Sequence, residues 1–222
     1  MHRSVNSTAV ASPFTYFDAI FCLNLDTEVR RWQEASKRFE LLGMLLLVER
    51  VPAIVTAENH HRGCALSWRA MIDIADRRGH EHMLGFEDDV VFLDDTLIVV
   101  DEVVGELSAT EWDLCYFGAC VHSCEFPFLP GSTVLQECGS VSCTHALAIH
   151  RNAFAQILDD LPVDQQSFEA WLDEYIAFDQ YLARQVAEGT FRALITSPRV
   201  ATQPALRNYA DADLSLAHRY VI

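Results

Sequence analysis

Apolar and polar positions along the chain fall into blocks that switch between a strand-like and a helix-like period. Tyr16 to Leu25 (YFDAIFCLNL) is rich in aromatic and branched residues and gives way to Asp26, Thr27 and Glu28, which predicts a buried strand followed by a helix start. Between Glu28 and Leu42 the apolar positions Val29, Trp32, Ala35, Phe39 and Leu42 recur at helical spacing, opposite a face of Arg, Glu and Lys, and Gly43 ends the pattern. Leu45 to Val51 predicts a second strand closed by Pro52, Val55 to Arg62 a polar loop, and Gly63 to Arg78 an amphipathic helix. His82 to Phe86 is a short apolar strand that runs straight into Glu87, Asp88 and Asp89. A helix over Asp95 to Leu107 and a strand over Asp113 to Phe117 follow. Val121 to Ser140, with two prolines and two glycines, predicts a long loop or small hairpin over a site. Thr144 to Ile149 is strand-like, Arg151 to Leu158 and Phe168 to Glu188 are helical, Phe191 to Ile195 is a strand, and the tail from Pro198 is irregular.

Strands alternating with helices at this spacing predict an α/β sandwich with a largely parallel sheet, in which ligands bind at the carboxyl ends of strands. Two polar clusters lie at such ends, Asn24 to Asp26 and Glu87 to Asp89. The chain of 222 residues is half hydrophobic, enough for one substantial core. Its formal charge of −16 disfavours nucleic acid and anionic lipid as partners. The longest apolar run, Leu41 to Val48, is too short to span a bilayer, and the polar, Ser-rich start lacks the apolar core of a secretion signal. A cytoplasmic protein with at most peripheral membrane contact is expected.

Seven cysteines without a signal peptide predict reduced thiols. Cys115, Cys120, Cys124, Cys138 and Cys143 share one stretch with His122 and His145, but no C-x2-C pair occurs. Small buried hydrophobes explain them better than a zinc site.

Three consecutive carboxylates at the end of an apolar strand repel one another, and a divalent cation relieves this most economically. Hard oxygen ligands suit Mg2+ or Mn2+, which could also neutralise charge on a departing diphosphate. A solvated acidic turn is the plainer explanation of the same residues.

The order of segments resembles glycosyltransferase family 25, which includes lipopolysaccharide and collagen galactosyltransferases and has a GT-A type, Rossmann-like fold. The resemblance rests on FCLNLDTEVRRW, on GCALSW (Gly63 to Trp68), on LGFEDDVVF (Leu84 to Phe92), on THALAIHRNAFAQIL (Thr144 to Leu158) and on FDQYL (Phe178 to Leu182). Trp68 stands where the family usually has His. The polar, Ser-rich start predicts a flexible segment over 1–15, and the resemblance implies a single GT-A-like catalytic domain over 16–203, followed by a C-terminal tail over 204–222. It implies that Asn24, Leu25 and Asp26 sit under the base and ribose of the donor, with Arg30 or Arg31 near its diphosphate. Strand-one packing, with Asp26 as an N-cap, accounts for the first three equally well. Glu87 would face the ribose and share the metal with Asp89, and Asp88 would orient its neighbours. Arg62 and Ser67 would lie beside the donor cleft.

An inverting transfer, inferred from the family, needs a base for the acceptor hydroxyl. Asp179 is the first candidate, with Asp173 and Glu174 as alternates. His145 and His218 are further candidates for base or metal ligand, and Trp112, Trp171 and Tyr175 for sugar stacking. The expected activity is metal-dependent transfer of a sugar from a nucleoside diphosphate sugar, a UDP-hexose by resemblance, to a saccharide, glycolipid-type or other hydroxyl acceptor. The rivals are a nucleotidyl or phosphoryl transferase using the same triplet, for which no Gly-rich phosphate loop is present, and a nucleotide-sugar binding module without turnover.

Overall fold

Every residue of the first strand is buried, so it must lie inside a sheet covered on both faces. The computed structural model describes residues 12–56, 59–120, 126–139 and 141–204. Within them the strands are β1 (Ala19–Asn24), β2 (Val48–Pro52), β3 (His82–Glu87), β4 (Val91–Phe92), β5 (Leu114–Cys120), β6 (Leu135–Glu137), β7 (Ser142–His150), β8 (Ala193–Thr196) and β9 (Ala201–Thr202). The α-helices are α1 (Val29–Leu41), α2 (His60–Arg77), α3 (Thr96–Leu107), α4 (Phe154–Asp160), α5 (Gln165–Tyr175) and α6 (Phe178–Ala187). Seven strands form one sheet in the order β2-β1-β3-β7-β5-β8-β6, and β4 pairs with β9 in a separate ribbon. β7 and β6 run against the other five, so the sheet is mostly parallel. This is the α/β sandwich expected from the patterning.

Period-two alternation divides the core. Ala19, Phe21 and Leu23 of β1 face one layer with α2, α4, α5 and α6, while Ile20 and Cys22 face the other with α1 and α3. Trp68 is central to the first layer. It is fully buried, stacks on Phe178 with ring centroids 5.6 Å apart, and lies against Gly85, where an added Cβ would sit 2.5 Å from the indole. Gly85 is thus required by the close approach of Trp68 to the sheet.

Several boundaries differ from the sequence expectation. Strand one begins only at Ala19, because Pro13–Tyr16 forms a 3₁₀ turn started by proline. Leu45–Leu47 is likewise a 3₁₀ turn before β2. The single helix expected over Phe168 to Glu188 is two, broken at Ile176, whose φ of 67° no α-helix accommodates. The tail adds β9, and the expected loop before β7 contributes β6 at the sheet edge. Residues 121–125 and 140 of that loop lie outside the described residues.

The expectation of reduced thiols is overturned at one place. Cys120, at the end of β5, and Cys143, at the start of antiparallel β7, are joined as a disulfide with Cα atoms 5.8 Å apart. Strand pairing brings them together across 23 positions of sequence, which spacing alone could not reveal. Cys22, Cys64, Cys115 and Cys138 are free, and three of these are buried as expected for small hydrophobes.

Candidate functional site

β1 and β3 are parallel neighbours with Leu23 opposite Glu87, so the Asn24 cluster and the acidic triplet leave the sheet side by side. Antiparallel β7 starts at this same end. A cavity of ≈ 310 Å³ opens there, lined by Asn24, Leu25, Arg31, Ser67, Glu87 and Asp88 among others. α2 contributes His60, Gly63, Cys64 and Ser67, the i, i+3, i+4, i+7 face of its first turns.

The triplet is held by neutral donors and one cation. Asp88, 6% exposed, accepts from Asn24 Nδ2 at 2.6 Å, and its other oxygen pairs with Arg31 Nη2 at 2.5 Å. The same guanidinium nitrogen lies 3.3 Å from Asp89 Oδ2. Thr144 Oγ1 donates to Glu87 Oε1 at 2.8 Å. Burial, reinforced by the neighbouring Asp89 charge, pushes the Glu87 carboxyl up to about 7 against the pull of the Thr144 bond. The Trp68 indole N–H lowers it too from nearby, although that group lies outside strict hydrogen-bond geometry. Burial also raises Asp89, with Arg31 opposing.

Asp89 Oδ1 is buried and has no hydrogen-bond partner. Such an orphaned carboxylate oxygen fits a hard cation. Among the described residues, however, no three His, Cys, Asp or Glu side chains converge on one point. The donor set therefore suits an ion completed by substrate oxygens, the usual habit of Mg2+, rather than an all-protein cage.

Asp179 stands in the first turn of α6 and accepts the backbone N–H of Cys143 at 2.8 Å. The next residue, Thr144, bonds Glu87, so Asp179 lies on the β7 side of the triplet.

Of the other expected residues, Ser67 does line the cavity, and the rest of those described do not. Asp26 is exposed, pairs with Arg50 at 2.6 Å and caps no helix, since α1 begins after Glu28. Arg62, one position off the cavity-facing stripe of α2, lies over the Phe168 ring at 5.6 Å. Ser67 is a structural hydroxyl, accepting from Ile54 N–H and donating to the Gly63 carbonyl. Arg30 pairs with Glu34 on the exposed face of α1. Asp173 and Glu174 are exposed, the latter paired with Arg184. His145 is wholly buried near Ala201, and burial lowers it to about 4. Trp171 and Tyr175 pack with Tyr181, and Trp112 lies with His82 and His150 at the opposite end of the sheet. His122, Cys124 and His218 lie outside the described residues. Arg50 was not anticipated: it donates to Asn24 Oδ1 at 2.8 Å and fixes that amide so that its nitrogen faces Asp88. In the β2 sequence VERVP, Arg50 stands only as one of two adjacent charged positions.

No protein-family model matches the chain, and no curated protein matches it in sequence. Solved structures resemble it faintly. A glycosyltransferase involved in the glycosylation of the major capsid of PBCV-1 aligns over 80% of this chain and 79% of its own at 10% identity, with a TM-score of 0.49. A197 from STIV aligns over 83% and 92% at 11% identity and TM-score 0.47. Mannose-1-phosphate geranyltransferase from Thermus thermophilus aligns over 80% and 72% at 11% identity and TM-score 0.41. These matches fix no family, and none points to family 25. At this depth of similarity the functional reading rests on the site itself. No helix among the described residues is long and apolar enough to cross a membrane.

Proposed function

We propose that the protein is a GT-A type glycosyltransferase, similar to family 25, that takes a nucleoside diphosphate sugar as donor and a saccharide or other hydroxyl compound as acceptor. The observation that carries this reading is the cavity at the carboxyl ends of β1 and β3, lined by Glu87, the buried Asp88 and the Arg31 guanidinium, with the orphaned Asp89 oxygen on the adjoining residue.

Asn24 and Leu25 line the part of the cavity that would receive the base and ribose. Arg31, 43% exposed at its side chain, can turn from Asp88 to a phosphate and bind it with paired hydrogen bonds. Asp89, with Glu87 beside it, would hold Mn2+ or Mg2+, which when bound supplies charge neutralisation for the departing diphosphate. Glu87, held partly protonated near neutrality while no ion is bound, would face a ribose hydroxyl beside Asp89. Asp179, fixed by the Cys143 amide, would take the proton of the acceptor hydroxyl in an inverting displacement. Asp26 and Arg62 have no direct role in this scheme.

Calorimetric titration of UDP into the chelator-treated protein, with and without Mn2+, tests the donor site. Mn2+-dependent binding that disappears in Asp89→Ala, with the melting temperature preserved, is the expected result. Absence of binding under either condition overturns the reading. Release of inorganic diphosphate from a sugar phosphate and a nucleoside triphosphate, instead of UDP from a UDP-sugar, would identify a nucleotidyltransferase.

A further inference from the structure

Residues 143 and 144 together hold both carboxylates on the β7 side of the candidate site. The Cys143 backbone N–H donates to Asp179 Oδ2 at 2.8 Å, and the next side chain, Thr144, donates to Glu87 Oε1 at 2.8 Å. Cys143 makes its bond from a conformation with φ 70°, in the left-handed region that disfavours a residue with a side chain. A residue stays there only when its surroundings over-determine it. One such constraint is covalent: the Cys143 sulfur is bonded to Cys120 at the end of β5, where the β5–β7 pairing passes through two irregularities of register. Both cysteines lie at the same end of the β5–β7 pair, Cys120 buried and Cys143 half-buried beside Ser142, the register partner of Cys120, so the crosslink acts directly on the backbone of residue 143.

We propose that Cys143 is a positioning residue for Asp179, and that the Cys120–Cys143 disulfide holds it in that role, making the candidate site sensitive to redox state. Reduction by a dithiol breaks the sulfur–sulfur bond, adds two electrons and two protons to give two thiols, and leaves the dithiol as its own disulfide. Freed from Cys120, Cys143 relaxes out of the left-handed region, its N–H turns away from Asp179, and Thr144 shifts relative to Glu87. The activity arm of the test rests on the glycosyltransferase reading; the structural arm does not.

Peptide mapping without reduction should first recover the 120–143 crosslink; its absence from protein prepared without reductant overturns the proposal. Hydrogen exchange at the position 143 amide is then compared before and after dithiothreitol. About tenfold or faster exchange on reduction is expected, against no further change in Asp179→Ala, which already lacks the acceptor. The variant Cys120→Ser with Cys143→Gly should regain protection without any crosslink, because glycine adopts this φ freely. Unchanged exchange on reduction overturns the proposal whether or not the protein transfers sugar. Where sugar transfer is observed, reduction should lower kcat about tenfold at unchanged KM for the donor; a fall in thermal stability alone, with kcat unmoved, refutes the positioning role. If UDP binding and transfer both fail while exchange responds as expected, the glycosyltransferase reading falls and the Cys143–Asp179 coupling stands.

Discussion

Two groups displaced in opposite directions should nearly cancel in the pH dependence of stability, and single substitutions should uncover each. Burial lowers His145 from an ordinary 6.5 to about 4, so the folded chain resists the proton that the unfolded chain accepts. Its contribution is complete above pH 6.5 and is lost as pH falls towards 4. At about 1.4 kcal/mol per pH unit this amounts to about 3 kcal/mol. Glu87 is the mirror case, raised by burial from 4.5 to about 7. Its contribution is complete below pH 4.5 and is lost as pH rises through 7, again by about 3 kcal/mol, somewhat less because the residue is only partly buried. Between pH 4.5 and 6.5 the two slopes oppose one another. Glu87→Gln keeps an acceptor for Thr144 and removes one slope, whereas His145→Leu removes the other. Urea denaturation in the presence of a chelator, from pH 4.5 to 7, measures both while limiting association near the sequence pI of 4.8. Relative to the parent, Glu87→Gln should gain about 2–3 kcal/mol on going from pH 4.5 to 7, and His145→Leu should lose a similar amount. For a domain of this size each corresponds to roughly 5–10 °C in Tm. Stability curves parallel to the parent's in both variants would refute the assigned causes.

Two further substitutions probe the scaffold under the site. Ile176 ends α5 at φ 67° with its side chain 63% exposed, so Ile176→Gly relieves backbone strain and removes little packing; a gain of about 1 kcal/mol in urea denaturation is expected, and a loss would show that the break between α5 and α6 is held by the isoleucine itself. Gly85→Ala should cost about 1–3 kcal/mol through its clash with Trp68, and should cost much less in a Trp68→His background; additive effects in that double-mutant cycle would remove Trp68 as the reason for the glycine.

The layers of the fold were legible because they depend on local pattern. The apolar run Ala19 to Leu23 of β1 and the helical stripes of α1 and α2 name their own burial, and the acidic triplet at the end of β3 marks where the sheet meets solvent. What was not legible depends on pairs distant in sequence. The Cys120–Cys143 crosslink needs β5 and β7 to be antiparallel neighbours, and the bond from Arg50 to Asn24 needs β2 and β1 to be parallel ones. The break at Ile176 escaped for a different reason: an isoleucine in a left-handed conformation is a tertiary outcome that propensity argues against. Trp68, which on sequence is only a departure from the family's histidine, has a packing role, bridging Gly85 to Phe178 next to Asp179.

Folding changes what the acidic triplet needs from a cation. From sequence, three adjacent carboxylates read either as a solvated acidic turn or as a site whose repulsion a divalent ion would relieve. In the folded chain that repulsion is relieved without one: Arg31 bridges Asp88 and Asp89, Asn24 supports Asp88, and Glu87 is held partly protonated beside Thr144. With Glu87 neutral, one guanidinium against two carboxylates leaves a single negative charge, and the oxygen left without a partner is Asp89 Oδ1. That residue is too weak a site to keep a dication without help, since hard ions need six or more oxygens. On the proposed reading Asp89 would hold the ion only together with oxygens of the diphosphate, and Arg31 would then be available to pair with the phosphates. Mn2+ and UDP should then bind with strong mutual dependence, each weakly alone, and Arg31→Met should weaken UDP more than it weakens Mn2+. Tight Mn2+ binding in the absence of nucleotide would contradict this account of the triplet.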